Sequence, residues 1–261
     1  MSAEVTGGAG AGPELGRAQD SFGPAPGSAP GLLMSLSPRP GPLDSVLIHP
    51  AGGGLGQYLR IARRLARHGP VHGIRAAGLL PGESPHDSVA RMSEVYRDLL
   101  DMLPRPPGLL IGWSLGGVLA WELAARTAPG REPPAVVMID SHAEVPPGSS
   151  MARSDLLTGI ERSVSGLTSG LDPDLLRATA RAHITAAHAH RVALRCDTRA
   201  LLLACAAPER AEQIARWQSL GPRLTVGELD CGHFEVFAPA QQGALLSHID
   251  RFVEGVLASP G

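Results

Sequence analysis

The residues with most to say about chemistry lie in Gly112-Trp113-Ser114-Leu115-Gly116-Gly117. An apolar run, 109–111, enters this stretch, and an amphipathic helical pattern, 118–123, leaves it. A serine between two glycines at a strand-to-helix turn is the sequence form of a nucleophile elbow: the turn leaves no room for side chains beside the serine, whose hydroxyl stands exposed at the apex. A hydroxyl is a weak nucleophile until a base takes its proton. His233, in the glycine-containing loop Asp230-Cys231-Gly232-His233-Phe234, is the candidate base, since it follows the last strand pattern in the order serine, acid, histidine. Three residues compete to hold its imidazole. Asp140 follows the strand after the elbow, Glu209 follows the next strand, and Asp230 lies three residues before His233. Asp140 is the choice and Glu209 the second. The role is to fix the tautomer and stabilise the imidazolium.

A reaction at a carbonyl also needs donors for the oxyanion. The backbone N–H of Leu115, at the start of the elbow helix, is one, and that of Ala51, in the small-residue loop Pro50-Ala51-Gly52-Gly53-Gly54, is the second, with Gly52 as the fallback. His142, two residues after Asp140, is not required by a triad. It reads either as an exposed loop imidazole or as a second base able to remove an α-proton from a bound ester, a proton more acidic in an ester than in an amide. His183, His188 and His190 fall on one helical segment, and 183 and 190 can share a face. A zinc site would want a third ligand nearby, so solvated histidines are expected and no metal.

The elements that must position these groups alternate. Strand patterns occur at 45–49, 71–74, 109–113, 135–139, 200–205 and 223–229, with helical patterns between most of them and a last helix over 240–257. The alternation predicts an α/β fold, a mostly parallel sheet with helices on both faces. Sites in such sheets form at the carboxyl ends of strands, and His49-Pro50-Ala51, Ser114 and Asp140 all fall there. Between about 145 and 198 no strand pattern is visible. Pro146-Pro147-Gly148 precedes this segment and Gly166 and Gly170 interrupt it, and we read it as a helical lid over the site.

Composition bounds the rest. The chain has 261 residues, 43% of them hydrophobic, enough for one α/β domain with a full core. A formal net charge of -2 without a basic stripe argues against nucleic acid as a partner. The longest apolar run, 201–207, is too short to cross a bilayer, and no signal peptide is evident. Three cysteines, Cys196, Cys205 and Cys231, form no metal spacing; without a secretion signal they suggest reduced thiols and a cytoplasmic location. The chain contains no lysine, which excludes a Schiff-base lysine or a P-loop, and no asparagine, which excludes N-glycosylation. Residues 1–42 are mostly Gly, Ala, Pro and Ser and read as a disordered linker, with the folded domain at 43–258. Asp20-Ser21 is the dipeptide on which carrier proteins hold a phosphopantetheine arm, but Phe22-Gly23-Pro24 cannot start the helix a carrier needs.

Taken together, His49-Pro50-Ala51-Gly52-Gly53, Gly112-Trp113-Ser114-Leu115-Gly116-Gly117, Ile139-Asp140-Ser141 and Gly232-His233 resemble the thioesterase domains that end nonribosomal peptide and polyketide synthetases. The resemblance covers about residues 43–258. It implies an α/β-hydrolase fold, no cofactor of its own, and a peptide thioester delivered on the phosphopantetheine arm of a peptidyl or acyl carrier protein. Acid placement after the fifth strand of the family's sheet is similar to that of the integrated, product-releasing type. Hydrolytic release, with or without epimerisation of the C-terminal residue, is the first expectation. A macrocyclising thioesterase, a stand-alone editing thioesterase and a non-catalytic carrier-binding module are the alternatives.

Overall fold

The computed structural model describes residues 1, 31–145, 153–164 and 171–258. Seven strands form one sheet in the order β1-β3-β2-β4-β5-β6-β7. They are β1 (Leu33–Ser37), β2 (Ser45–Ile48), β3 (Val71–Ile74), β4 (Leu109–Trp113), β5 (Ala135–Ile139), β6 (Ala200–Cys205) and β7 (Leu224–Leu229). The helices are α1 (Leu59–Leu65), α2 (Val89–Asp101), α3 (Leu115–Ala125), α4 (Arg153–Val164), α5 (Pro173–Ala189), α6 (Arg210–Leu220) and α7 (Gln242–Ala258). Every pairing is parallel except β1 with β3.

The central strands β2, β4, β5 and β6 are buried along their whole length. That is why they read as continuous apolar runs: a parallel strand covered on both faces needs apolar residues on both. β7, at the edge, is buried only at Gly227 and Leu229 and exposes Thr225 and Glu228. One layer of core joins α2, α3 and α6 to the sheet through Met92, Leu119, Trp121 and Trp217. The other packs α1 and α7 against it through Ile61, Leu65, Leu245 and Ile249. The elbow helix α3 is buried from Leu115 to Ala124, because it lies between α2 and the sheet. It therefore lacks a polar face, as a helix covered all round does.

Strand register decides which residues share the carboxyl edge of the sheet. Ile48 pairs with Gly112, Trp113 with Ile139, Ile139 with Leu203 and Cys205 with Leu229. His49, Ser114 and Asp140 each follow the last residue of a strand, and the 230–233 loop follows β7, so all four emerge at the carboxyl edge of one sheet.

Two expectations change. The boundary at residue 43 moves, because β1 lies inside the stretch read as linker. Its Leu33 is buried, and its residues pair antiparallel with β3, Leu33 opposite Ile74. Arg75 fastens the segment ahead of β1 through its Nε to the Gly31 carbonyl, while Arg75 itself is paired with Glu83. Five residues hemmed in by Pro30 and Pro38 were submerged in the surrounding Gly, Pro and Ser. Residues 2–30, with Asp20-Ser21, lie outside the described residues, as do Pro146-Pro147-Gly148, Gly166 and Gly170.

The lid segment is helical as α4 and α5, but residues 190–198 are irregular, with Arg191 bridging Glu144. Asp172 caps α5 by accepting from the Asp174 N–H at 2.8 Å, with Pro173 at the first helical position. Two of its histidines are the second correction, because they have partners inside the fold. His183 is fully buried, and His190, just past the helix, bonds through Nε2 to Oε1 of the buried Glu122 on α3 at 2.8 Å. Among the described residues no group of three or more potential ligands could hold a metal ion.

Candidate active site

The elbow is built by close approach. A Cβ on Gly112 would lie 1.9 Å from the backbone carbon of Gly116, and one on Gly116 would lie 2.4 Å from the Ile48 carbonyl oxygen. Gly117 does the same for the next strand, since a Cβ there would lie 2.0 Å from Ser141 Oγ at the end of β5. Ser114 sits between them at φ 56 and ψ -121, a region that L side chains seldom adopt and that costs about 1–3 kcal/mol. Its N–H donates to the Ile139 carbonyl at 2.9 Å, so the strained turn is stitched to β5. On the other side, Tyr58 accepts from the Trp113 N–H at 2.7 Å and donates its own hydroxyl to the Ile48 carbonyl at 2.9 Å, joining β4 to β2 just before the apex.

Asp140 also has a positive φ, of 43, immediately after β5. Its Oδ2 lies 2.8 Å from His233 Nδ1. Its Oδ1 accepts from the Cys205 N–H at 3.0 Å and from Gln213 Nε2 at 3.2 Å. Burial by itself would raise this carboxyl. The hydrogen bond and charge of His233, with the Cys205 N–H and His142, outweigh burial and hold it at about 2. It is therefore ionised at neutral pH and acts only as an acceptor. Because Nδ1 faces this acceptor, His233 carries its proton there, leaving Nε2 as the basic atom on the opposite edge of the ring. The imidazole is packed against Trp113, with ring centroids 4.9 Å apart, and against Phe234.

Ser114 and His233 line one cavity of about 390 Å³, together with Pro50, Ala51 and Gly52. The remaining wall is mainly apolar: Leu55, Trp113, Phe234 and Phe237 from the main domain, and Leu156, Ile160, Leu171 and Leu176 from the lid. Among the described residues no hydrogen bond joins Ser114 Oγ to His233. Such contacts often close only when substrate is bound. The N–H groups of Ala51 and Leu115 take no part in backbone hydrogen bonds among the described residues, as donors awaiting an anion would not.

His142 is not a wall of this cavity. It lines a second one, of about 280 Å³, with Asp140, Asp155, Arg162 and Ala206, and His233 and Phe234 stand at the boundary between the two sites. Burial lowers the His142 imidazole, the Asp140 charge opposes this, and His233 adds to the lowering, so His142 is neutral at pH 7.

Gln213, His183 and Tyr58 belong to no catalytic motif in the sequence, and only the fold brings them to the site. Gln213 also donates to the Ser141 carbonyl at 3.0 Å, and Trp217 Nε1 donates to the same oxygen at 2.8 Å. Its signal was a polar residue at i-4 from Trp217 on the buried face of α6, where an apolar one would be the default.

A mostly parallel sheet, an elbow serine, and an aspartate and histidine joined at its carboxyl edge define an α/β-hydrolase of the serine type, here with a helical lid. The family model described as "Thioesterase domain" matches residues 46–253, and the chain belongs to this family. It is similar to the nonribosomal peptide synthetase btyA of Aspergillus terreus, with 33% identity over 95 residues, 36% of this chain and 10% of the synthetase. It is also similar to the thioesterase frbE of Dothideomycetidae sp., 33% identical over 100 residues, 37% of this chain and 38% of that protein. The chain thus spans about a tenth of the synthetases and well under half of frbE. Among solved structures, the NocB thioesterase domain in covalent complex with a fluorophosphonate nocardicin G analog covers 85% of this chain and 99% of its own. Its TM-score is 0.65 at 24% identity, a likeness of fold.

Proposed function

We propose that this thioesterase releases a peptidyl chain from the phosphopantetheine arm of a carrier protein by way of an acyl-serine and its hydrolysis, with Ser114 as nucleophile, His233 as base and Asp140 as the acid that orients it. The observation that carries the reading is the 2.8 Å contact of Asp140 with His233, at the wall of the cavity that also holds Ser114. In the first half-reaction Ser114 Oγ bonds to the thioester carbonyl carbon while its proton passes to His233 Nε2. The oxyanion is held by the N–H groups of Ala51 and Leu115. The carbon–sulfur bond then breaks, and the leaving sulfur takes the proton from His233. In the second half a water oxygen attacks the acyl-serine, His233 takes its proton, and that proton returns to Ser114 Oγ as the acid departs.

The cavity supports an apolar acyl group. Its wall brings two phenylalanines, a tryptophan and lid leucines to the site and, among the described residues, contributes no side chain besides His233 that could be charged. Burying a charged terminal side chain there would go uncompensated.

A second reading adds epimerisation before release, with His142 removing the α-proton of the acyl-serine. It is favoured by a neutral imidazole next to Asp140 and His233, behind the same Phe234 that walls the acyl cavity. Incubation with peptidyl thioesters in deuterated water, read by mass spectrometry, tests both. Free acid is expected from hydrolysis, and α-deuterium in that acid supports His142 as a base. Acid without α-deuterium removes that role. A cyclic product instead supports a macrocyclase, and no turnover of any thioester supports a carrier-binding module. Selective turnover of short, mis-primed acyl groups would support an editing enzyme.

A further inference from the structure

We infer that His183, on the lid helix α5, is a positioning residue for the oxyanion site: it holds the peptide plane that follows Ala51 and so couples the lid to the aim of the anion-binding loop. The inference rests on the roles proposed above for Ser114 and for the oxyanion loop, in which Gly52 is the fallback donor beside Ala51.

The loop after β2 presents two successive peptide planes, and in a trans peptide the N–H points opposite to the carbonyl that precedes it. Holding the Pro50 carbonyl therefore aims the Ala51 N–H, and holding the Ala51 carbonyl aims the Gly52 N–H. The first plane is secured locally. The Pro50 carbonyl accepts from His49 Nδ1 at 2.8 Å and from the Gly53 N–H at 2.8 Å. The second has its partner 132 residues away in sequence, as His183 Nδ1 donates to the Ala51 carbonyl at 3.0 Å. A carbonyl can only accept, so His183 must carry its proton on Nδ1.

The imidazole is well held for this. His183 is fully buried and stacks on His49, with ring centroids 5.0 Å apart and planes 21° from parallel. His49 is in turn fixed by the Tyr96 hydroxyl at its Nε2. The two stacked rings thus each secure one plane of the loop. One belongs to the sheet and the other to the lid, so a lid displaced from its position releases the second plane. Ala51 is then fixed on one side only, and the Gly52 N–H, the fallback oxyanion donor, gains freedom to turn from the reacting carbonyl.

The tautomer and two variants test this. In the wild-type chain, nitrogen NMR of the imidazoles is expected to show His183 as the Nδ1–H tautomer; an Nε2–H tautomer would overturn the inference without any variant having to fold. His183→Asn keeps a donor close to the Nδ1 position, whereas His183→Gln carries one nearer to Nε2. The readout is phosphonylation of Ser114 by an alkyl fluorophosphonate, resolved into a binding constant and a maximal rate, since the phosphoryl oxygen uses the same donors. Expected is a near wild-type maximal rate for H183N and a fall of roughly 10- to 100-fold for H183Q, part of the effect of deleting a donor outright, with the binding constants little changed. Equal rates in the two variants, or a change confined to binding, would overturn it. Thioester turnover is scored separately. If it is absent while the phosphonylation difference persists, the thioesterase reading fails and the role of His183 stands.

Discussion

His233 Nδ1 and Asp140 Oδ2 lie 2.8 Å apart, although 93 residues separate them in the chain. The contact fixes which nitrogen of the imidazole is free to act. Asp140→Asn preserves the shape but turns an amide N–H toward Nδ1 or leaves it a weaker acceptor, favouring the tautomer whose Nε2 already carries a proton. We expect kcat to fall by a factor on the order of 10³–10⁴ with KM little altered, measured on a peptidyl thioester. A loss of tenfold or less would contradict this role for Asp140.

Tyr58 ties two strand ends together behind the elbow. Tyr58→Phe leaves the Trp113 N–H and the Ile48 carbonyl without their buried partner. A destabilisation of about 1–3 kcal/mol is expected for the lost pairing, read from the urea midpoint at unchanged slope. A midpoint equal to wild type would show that the backbone finds other partners.

The lid helix α4 lies against the base loop with almost no clearance. A Cβ at Gly159 would come within 2.2 Å of the Phe234 ring. Gly159→Ala gains about 1 kcal/mol in helix propensity but forces an overpacking that costs typically 1–3 kcal/mol. Phe234 walls the acyl cavity, so its displacement is expected to raise KM for bulky apolar acyl thioesters more than for an acetyl thioester. Equal KM changes for both would separate Phe234 from acyl selection.

The stacked histidines make stability depend on pH. Burial holds His183 at about 4, and burial with the neighbouring His183 holds His49 well below the ordinary imidazole value. An unfolded chain takes up these protons near pH 6.5. Between about 6.5 and 4 the unfolded state binds more protons than the folded one, so stability is full above this window and falls as pH is lowered through it. His183 contributes a loss on the order of 3 kcal/mol. Urea denaturation at pH 7 and pH 4.5 should show the decline, and His183→Asn should make it shallower. An identical decline in that variant would assign the effect elsewhere.

Ser114, His233 and Asp140, the proposed nucleophile, base and acid, were legible as a set at one sheet edge because the chemistry proposed for them constrains local sequence. The elbow demands glycines at fixed offsets from Ser114, and the order of strands places Asp140 and His233 after β5 and β7. Central strands were legible because burial on both faces leaves an unbroken apolar run. β1 was not: as an edge strand of five residues it has no such run, and it gains its partners only from β3. His183 and Gln213 stayed hidden for a different reason. Each is defined by a group it meets across the fold, the Ala51 carbonyl for one and Asp140 for the other. The helical period did hold a hint, since His183 stands seven residues after Leu176 and three after Ala180 on the buried face of α5. A polar side chain in that stripe requires a buried partner, although nothing in the stripe names it.

The most direct measurement of whether Ser114 is the covalent acceptor is to mix the chain with a peptidyl thioester, quench rapidly, and map the acyl mass to a residue. Expected is one acyl group on Ser114, formed as thiol is released, and loss of both adduct and thiol release in Ser114→Ala. An adduct on another residue, or undiminished thiol release by Ser114→Ala, would contradict it.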